Sequence, residues 1–223
     1  MRAMILAAGR GKRMRPLTDT TPKPLLTAGG KPLIVWHIER LVAAGITQII
    51  INHAWLGEQI EHALGDGSAF GAQLAYSPEA TALETAGGIA KALPFFGEHP
   101  FLVMNGDVWC DWDPAQAVGH ARGLVDRNAL AWLLLVDNPP HHPEGDFLIP
   151  PLAPHALTFS GIGIYRPDLF AGVTGDKPVR LAPLLHQALK DRQVEANRHT
   201  GYWTDVGTPD RLETLNQNLV RPS

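Results

Sequence analysis

A chain of 223 residues is long enough for one large α/β domain, or one domain with a small appendage, and can bury about 70% of its unfolded surface without staples. Its 22 glycines and 19 prolines lie above the usual share but short of disordered or collagen-like compositions, and 19 basic against 22 acidic residues leave a net charge of −3, which excludes a polycation made for nucleic acid or an anionic membrane. The one cysteine, Cys110, excludes an internal disulfide framework and a multi-cysteine zinc site.

In chain order, Ala3 to Ala8 is a short apolar run that stops at Gly9, as a buried strand entering a loop would. Gly9 to Gly30, rich in Gly, Pro, Thr and basic residues, reads as a long functional loop. Leu33 to Ala44 has helical spacing with Gly45 as its stop. Ile46–Ile51 is a second strand, Leu56–Leu64 a helix, Leu74–Tyr76 a strand and Thr85–Leu93 a helix. Phe101–Asn105 is a fourth strand. A helix near Asp113–Gly123 and a strand at Ala129–Val136 follow, and then Asn138 to Pro143, which is too proline-rich for either element. Leu157–Tyr165 is expected as a strand, Arg180–Lys190 and Pro209–Leu219 as helices. This alternation predicts an α/β fold, a Rossmann-like and mostly parallel sheet with helices on both faces. The apolar start is too short for a signal-peptide core, and Ala129–Val136, the longest apolar run, is too short to span a bilayer. A cytoplasmic location is expected, with no membrane, nucleic-acid or protein partner.

The chemistry concentrates in Leu6-Ala7-Ala8-Gly9-Arg10-Gly11-Lys12-Arg13-Met14-Arg15-Pro16-Leu17 and the following Pro22-Lys23-Pro24-Leu25. Glycines directly after a buried strand let the backbone approach phosphate oxygens, at the carboxyl ends of strands where doubly wound sheets bind ligands. Four cations within six residues repel one another unless an anion joins them, and a polyphosphate fits. The dinucleotide fingerprint fails because Met14 stands where a third glycine is needed, and the P-loop fails because Pro32 follows Gly30-Lys31.

The run from Leu6 to Leu25, continuing to Gly29-Gly30-Lys31-Pro32-Leu33, closely resembles the signature of the sugar-phosphate nucleotidyltransferases, which join a sugar 1-phosphate to a nucleoside triphosphate and release pyrophosphate. The resemblance implies a fold of the nucleotide-diphospho-sugar transferase type. It implies that Ala8, Gly9, Gly11 and Lys12 lie along the nucleotide, although Lys12 replaces the usual Thr or Ser. Arg13 would face the triphosphate and Lys23 would bridge the reacting phosphates, as the catalytic pair. Phosphoryl transfer of this kind calls for Mg²⁺, which prefers one or two carboxylates. Read alone, Asn105-Gly106-Asp107 fits a hairpin turn equally well. The resemblance favours Asp107 as a metal ligand near the sugar, with Asn105 on the nucleotide, and Asp205 in Trp203-Thr204-Asp205-Val206-Gly207-Thr208-Pro209 as the second metal ligand. Because Gly9 and Asp205 would then belong to one site, residues 1–223 are expected to form a single domain, nucleotide-binding to about 110 and sugar-binding from about 111.

By the same resemblance Glu79 would meet the base edge, with the Gly87 and Gly88 backbone beneath it. Glu144, Gly145, Ser160 and Gly161 would line the sugar. The Glu-Lys-Pro element of the family is absent, so its sugar-side lysine is too. The Glu144-Gly145-Asp146-Phe147 element and the Leu157–Gly163 strand are most similar to members that use UTP, making UTP the favoured partner alongside a sugar 1-phosphate. A mannose- or glucose-1-phosphate transferase of the same fold remains an alternative. So does a silent sugar-nucleotide sensor, although Arg13, Lys23, Asp107 and Asp205 are all present. His141 and His142 lack a helix-spaced partner for zinc, Cys110 lacks an adjacent histidine, and Trp109 and Trp112 suit packing. His53 fits either the cleft or a structural role.

Overall fold

Strand β1 (Ala3–Leu6) is apolar throughout because both its faces are covered, and every other element builds around it. The computed structural model describes residues 1–150 and 152–220. After β1 come β2 (Thr27–Ala28), β3 (Lys31–Pro32), α1 (Leu33–Ala43), β4 (Gln48–His53), α2 (Gly57–Leu64), β5 (Gln73–Pro78), α3 (Glu84–Phe96) and β6 (Phe101–Asn105). The second half holds β7 (Val108–Cys110), α4 (Ala117–Asp126), β8 (Ala131–Val136), β9 (Thr158–Tyr165), α5 (Leu181–Lys190), β10 (Val194–Arg198), β11 (Trp203–Asp205) and α6 (Pro209–Val220). Among the described residues no helix is long and apolar enough to cross a membrane.

The main sheet has the order β10-β8-β9-β6-β1-β4-β5. Successive residues feed opposite layers: Ala3 and Ile5 pack with Ile38 and Leu41 of α1 and Leu124 of α4, whereas Met4 packs with Ile89 and Phe96 of α3 and Leu185 of α5. That is the expected two-faced α/β architecture. Only β9 runs against its neighbours, pairing antiparallel with both β6 and β8. Chain order reverses at β1, which has β4 on one side and β6 on the other. This switch point opens a crevice above the carboxyl ends, where Leu6 is level with Asn52 and Asn105.

Three features go beyond the sequence reading. Asn105-Gly106-Asp107 is not the turn of a hairpin with β6. The Gly106 N–H extends the β1 pairing by donating to the Leu6 carbonyl at 2.8 Å, and the chain then leaves the sheet as β7, which pairs with β11. Strand β10 was not anticipated, because Val-Glu-Ala-Asn-Arg is a short, half-buried edge strand whose alternation rests on only two small apolar residues, Val194 and Ala196. The long loop after Gly9 is shaped by three single 3-10 turns, at Lys12–Met14, Leu17–Asp19 and Lys23–Leu25, and then by the β2–β3 pair. The proline-rich stretch up to Ala156 folds back through an antiparallel bridge between Phe147 and Leu157, with Pro151 outside the described residues.

Candidate active site

The floor of the crevice is a buried polar relay across three strands. Asn52, only 3% exposed, accepts a hydrogen bond from the Ala7 N–H on Oδ1 (2.9 Å) and donates from Nδ2 to Glu79 Oε1 (2.7 Å). Glu79 Oε2 accepts from the Leu83 N–H at 2.8 Å. Glu79 is therefore buried and fully engaged, and it holds the start of α3 in register with the loop after β1. Above this relay lies a chamber of about 590 Å³ lined by Ala8, Gly9, Lys23, Glu79, Thr85 and Asn105. A Cβ at Gly9 would meet nothing within 4 Å, so the backbone there is open to a ligand. Gly87 and Gly88 stand behind the chamber rather than on its wall. A Cβ on Gly87 would come within 2.5 Å of the Lys177 carbonyl, and one on Gly88 within 2.7 Å of Glu79 Oε1.

The basic loop divides into distinct tasks. Gly11 is left-handed (φ 63°), and a Cβ there would press on Thr18 at 3.0 Å and Lys23 at 3.3 Å, so this glycine lets the loop close over the lysine. Lys23 is 7% exposed, and its Nζ donates to Asp107 Oδ2 at 2.6 Å. A buried ammonium needs such a partner. The Arg10 guanidinium lies 3.7 Å from the centre of the Trp55 ring and donates to the Thr18 carbonyl at 2.8 Å, pinning the loop to the start of α2. Arg15 pairs with Asp19 at 3.1 Å. Lys12 is exposed and outside the chambers, whereas Arg13 turns to a second chamber, of about 350 Å³, together with Asp107 and Asp205.

The two carboxylates reach one chamber because β7 and β11 form a two-stranded antiparallel ribbon in which Asp205 lies opposite Val108, and the Val206 N–H donates to the Asp107 carbonyl at 2.7 Å. Their side chains are 44% and 25% exposed, open enough for solvent and ligand to reach. Asp205 is ion-paired with Arg211 of α6, and His141 Nε2 sits 3.0 Å from its Oδ1. The second chamber also receives Ser160 and Gly161. Gly161 is left-handed (φ 82°), and a Cβ there would lie 2.6 Å from Asn105 Nδ2, so its bareness makes room for Asn105. Glu144 is exposed, and neither it nor Gly145 reaches a chamber wall. Gly145 (φ 66°) lets the chain pass the Ala156 carbonyl, where a Cβ would come within 2.5 Å.

A family model described as nucleotidyl transferase matches residues 2–144. The chain belongs to the nucleotidyl transferase family. It is 57% identical over 222 residues, 96% of both chains, to the N-acetylmuramate alpha-1-phosphate uridylyltransferase of Neisseria meningitidis serogroup B. It is 34% identical over 233 residues to the enzyme of the same name from Caulobacter vibrioides, covering 93% of this chain and 92% of that one. A solved structure from Bacillus anthracis superposes with a TM-score of 0.86 at 24% identity, covering 100% of this chain and 96% of that chain. HddC from Yersinia pseudotuberculosis, complexed with GMP-PN, gives 0.78 at 19% identity over 97% and 98%. These likenesses show the nucleotide-diphospho-sugar transferase fold.

Nucleotidyltransferases of this family typically use a divalent metal, and the donors here suit one: two hard, partly exposed carboxylates lining the same chamber, with cations alongside to balance them. Among the described residues the one group of three potential ligand atoms within 4.8 Å is Cys110, Asp111 and His199. That group is committed to structure. Asp111 takes His199 Nε2 at 2.5 Å and the Tyr202 N–H at 2.9 Å, and burial pushes the Cys110 thiol up to about 11, so it stays protonated and packs. His53 is likewise structural, buried with Nε2 2.6 Å from Glu61. Trp112 packs against Trp132 at 5.5 Å between ring centres. Sequence reasoning missed Asn52, Trp55 and Arg211 and set His141 aside. For Asn52 a signal existed: an uncharged polar residue ending an Ile-rich strand, at the level of Asn105 on β6. For Arg211 and His141, which meet Asp205 from distant segments, there was none.

Proposed function

We propose that the chain transfers uridine monophosphate from UTP to N-acetylmuramate α-1-phosphate, giving UDP-N-acetylmuramate and pyrophosphate, in the cytoplasm and in the service of peptidoglycan sugar recycling. The observation that carries this reading is the 57% identity, across 96% of both chains, to the Neisseria uridylyltransferase of that name. We read the chain as one catalytic domain, with the nucleotide held by the part up to about residue 110 and the sugar by the remainder. In support, Asn105 borders both the large chamber and the carboxylate chamber, and Asp107 and Asp205 come from the two parts.

A sugar phosphate is already ionised at neutral pH, so the reaction needs no general base. One phosphate oxygen attacks the α-phosphorus of UTP in line, the bond from that phosphorus to the oxygen bridging the β-phosphorus breaks, and pyrophosphate leaves. The chain's own work is positioning and charge neutralisation. Ala8, Gly9 and the Glu79–Asn52 relay shape the nucleotide side, Lys23 presents its ammonium to the reacting phosphates, and Arg13 offers a guanidinium to the triphosphate. Asp107 and Asp205 would hold Mg²⁺, which when bound neutralises phosphate oxygens and orients them. Ser160 and Gly161 border the acceptor.

The test is pyrophosphate release with UTP, GTP, dTTP and CTP, each against N-acetylmuramate, mannose and glucose 1-phosphates. The fastest turnover is expected with UTP and N-acetylmuramate 1-phosphate. A faster different pair would replace this substrate assignment, and release with no pair would leave a sugar-nucleotide sensor.

A further inference from the structure

A third chamber, of about 310 Å³, borders Asn105 and does not include Asp107 or Asp205 in its lining. Its lining is mixed, with an apolar side formed by Phe147, Phe159, Leu181 and Leu185, where the Phe147 and Phe159 rings stand edge to face at 6.4 Å. It is also lined by Arg180, the residue just before α5. The Arg180 guanidinium makes no hydrogen bond or ion pair among the described residues and makes no side-chain cap on its helix, whereas Arg166 and Arg198 pair with Asp168 and Asp137. Of the carboxylates on the wall, Asp146 is already committed to the Phe159 N–H at 2.8 Å and to His142 at 3.0 Å, and Glu84 belongs to the wall shared with the nucleotide chamber. His186 adds an imidazole, 5.0 Å from the Phe147 ring.

An unmatched guanidinium beside an apolar wall suits an anion carried on a short hydrocarbon arm. The reacting phosphates are poor candidates, because Lys23, Arg13, Asp107 and Asp205 all lie outside this chamber. A second anionic group on the acceptor would fit the exposed Arg180. N-acetylmuramate differs from N-acetylglucosamine by a lactyl ether, which bears one methyl and one carboxylate. We propose that this chamber receives the carboxylate-bearing ether arm of the acceptor sugar, and that Arg180 is the residue that reads its carboxylate and sets acceptor specificity. The inference rests on the proposed acceptor being a muramate.

The experiment compares wild type, Arg180→Gln and Arg180→Lys on N-acetylmuramate 1-phosphate and on N-acetylglucosamine 1-phosphate, which lacks the arm, with UTP saturating. KM is measured for the first, and KM or the competitive inhibition constant for the second. In Arg180→Gln the muramate KM should rise about 10- to 100-fold, the range expected for one charged hydrogen bond, while the glucosamine value moves less than about twofold. Arg180→Lys should keep the muramate KM within about fivefold of wild type. Equal losses on both sugars would mean that Arg180 binds the shared phosphate or supports the fold, and no loss on either would mean that it binds nothing. Both results overturn this assignment and leave the proposed reaction standing. A wild-type enzyme that fails to use N-acetylmuramate 1-phosphate overturns the reaction itself, and this assignment with it.

Discussion

Replacing Asn52 by Asp sets a second carboxylate against Glu79 Oε1 across a contact of 2.7 Å, in a place where both side chains are buried. Two full charges at that separation repel by about 6 kcal/mol at an effective dielectric near 20, more than the protein need bear, because one carboxyl can take up a proton instead. Holding an ordinary carboxyl, with a pKa near 4, protonated at pH 7 costs about 4 kcal/mol. That is the expected destabilisation of Asn52→Asp at pH 7. The sign follows from linkage: repulsion raises the folded pKa above the unfolded one, so the deficit is small near pH 4 and grows by about 1.4 kcal/mol per pH unit until the pair ionises. At pH 5 it should be near 1.4 kcal/mol. The double variant Asn52→Asp/Glu79→Gln restores every bond and reverses only the one between the two side chains. The aspartate still accepts from Ala7, the Gln amide donates to the aspartate, and the Gln carbonyl accepts from Leu83. Its stability should return to within about 1 kcal/mol of wild type. Urea unfolding at pH 5 and 7, each against wild type at the same pH, measures all of this. A deficit that does not change with pH, or a double variant no better than the single one, would refute the relay.

Asp107→Asn should lower turnover more than about 100-fold and, because it leaves the buried Lys23 ammonium facing a neutral amide, should cost about 1–3 kcal/mol in unfolding; near-normal turnover at saturating Mg²⁺ would remove it from the metal site. Burial, reinforced by nearby Arg40, lowers the His37 imidazole to about 4 and keeps it neutral. The fold should therefore be at full strength above pH 6.5 and lose up to about 3 kcal/mol as pH falls from there toward 4, a loss that His37→Leu should abolish in urea midpoints at pH 5 against 7.5. If the Leu variant weakens equally in acid, the loss belongs to other groups. Gly161→Ala forces a side chain onto a φ of 82° and against Asn105, so stability should drop by about 1–3 kcal/mol, and KM should rise for nucleotide and sugar alike because Asn105 borders every chamber of the site. Unchanged KM values for both would dissociate Asn105 from substrate binding.

Much of the architecture could be read locally. Apolar runs ending at Gly9, Asn52 and Asn105 mark strands buried on both faces, and glycines after Ala44 and Leu64 mark helix ends, because burial and backbone freedom are properties of a few neighbouring residues. The reversed β9 was not legible, since a strand covered on both sides is apolar whichever way it runs. Nor was the β7–β11 ribbon, whose strands have three residues each and lie almost a hundred positions apart.

The same division runs through the site. Residue order alone marked the loop suited to phosphate, because glycine spacing and clustered charge have only a few chemical uses, whereas Lys23, Asp107 and Asp205 stood out through the family resemblance. Folding decided how those residues meet. Lys23 was buried against Asp107, Arg13 was sent to the carboxylate chamber, Arg211 and His141 were brought to Asp205, and Arg180 was left unpaired at an apolar wall. Each of these follows from strands and helices joining segments far apart in the chain, and contacts between distant segments arise only when the whole core packs.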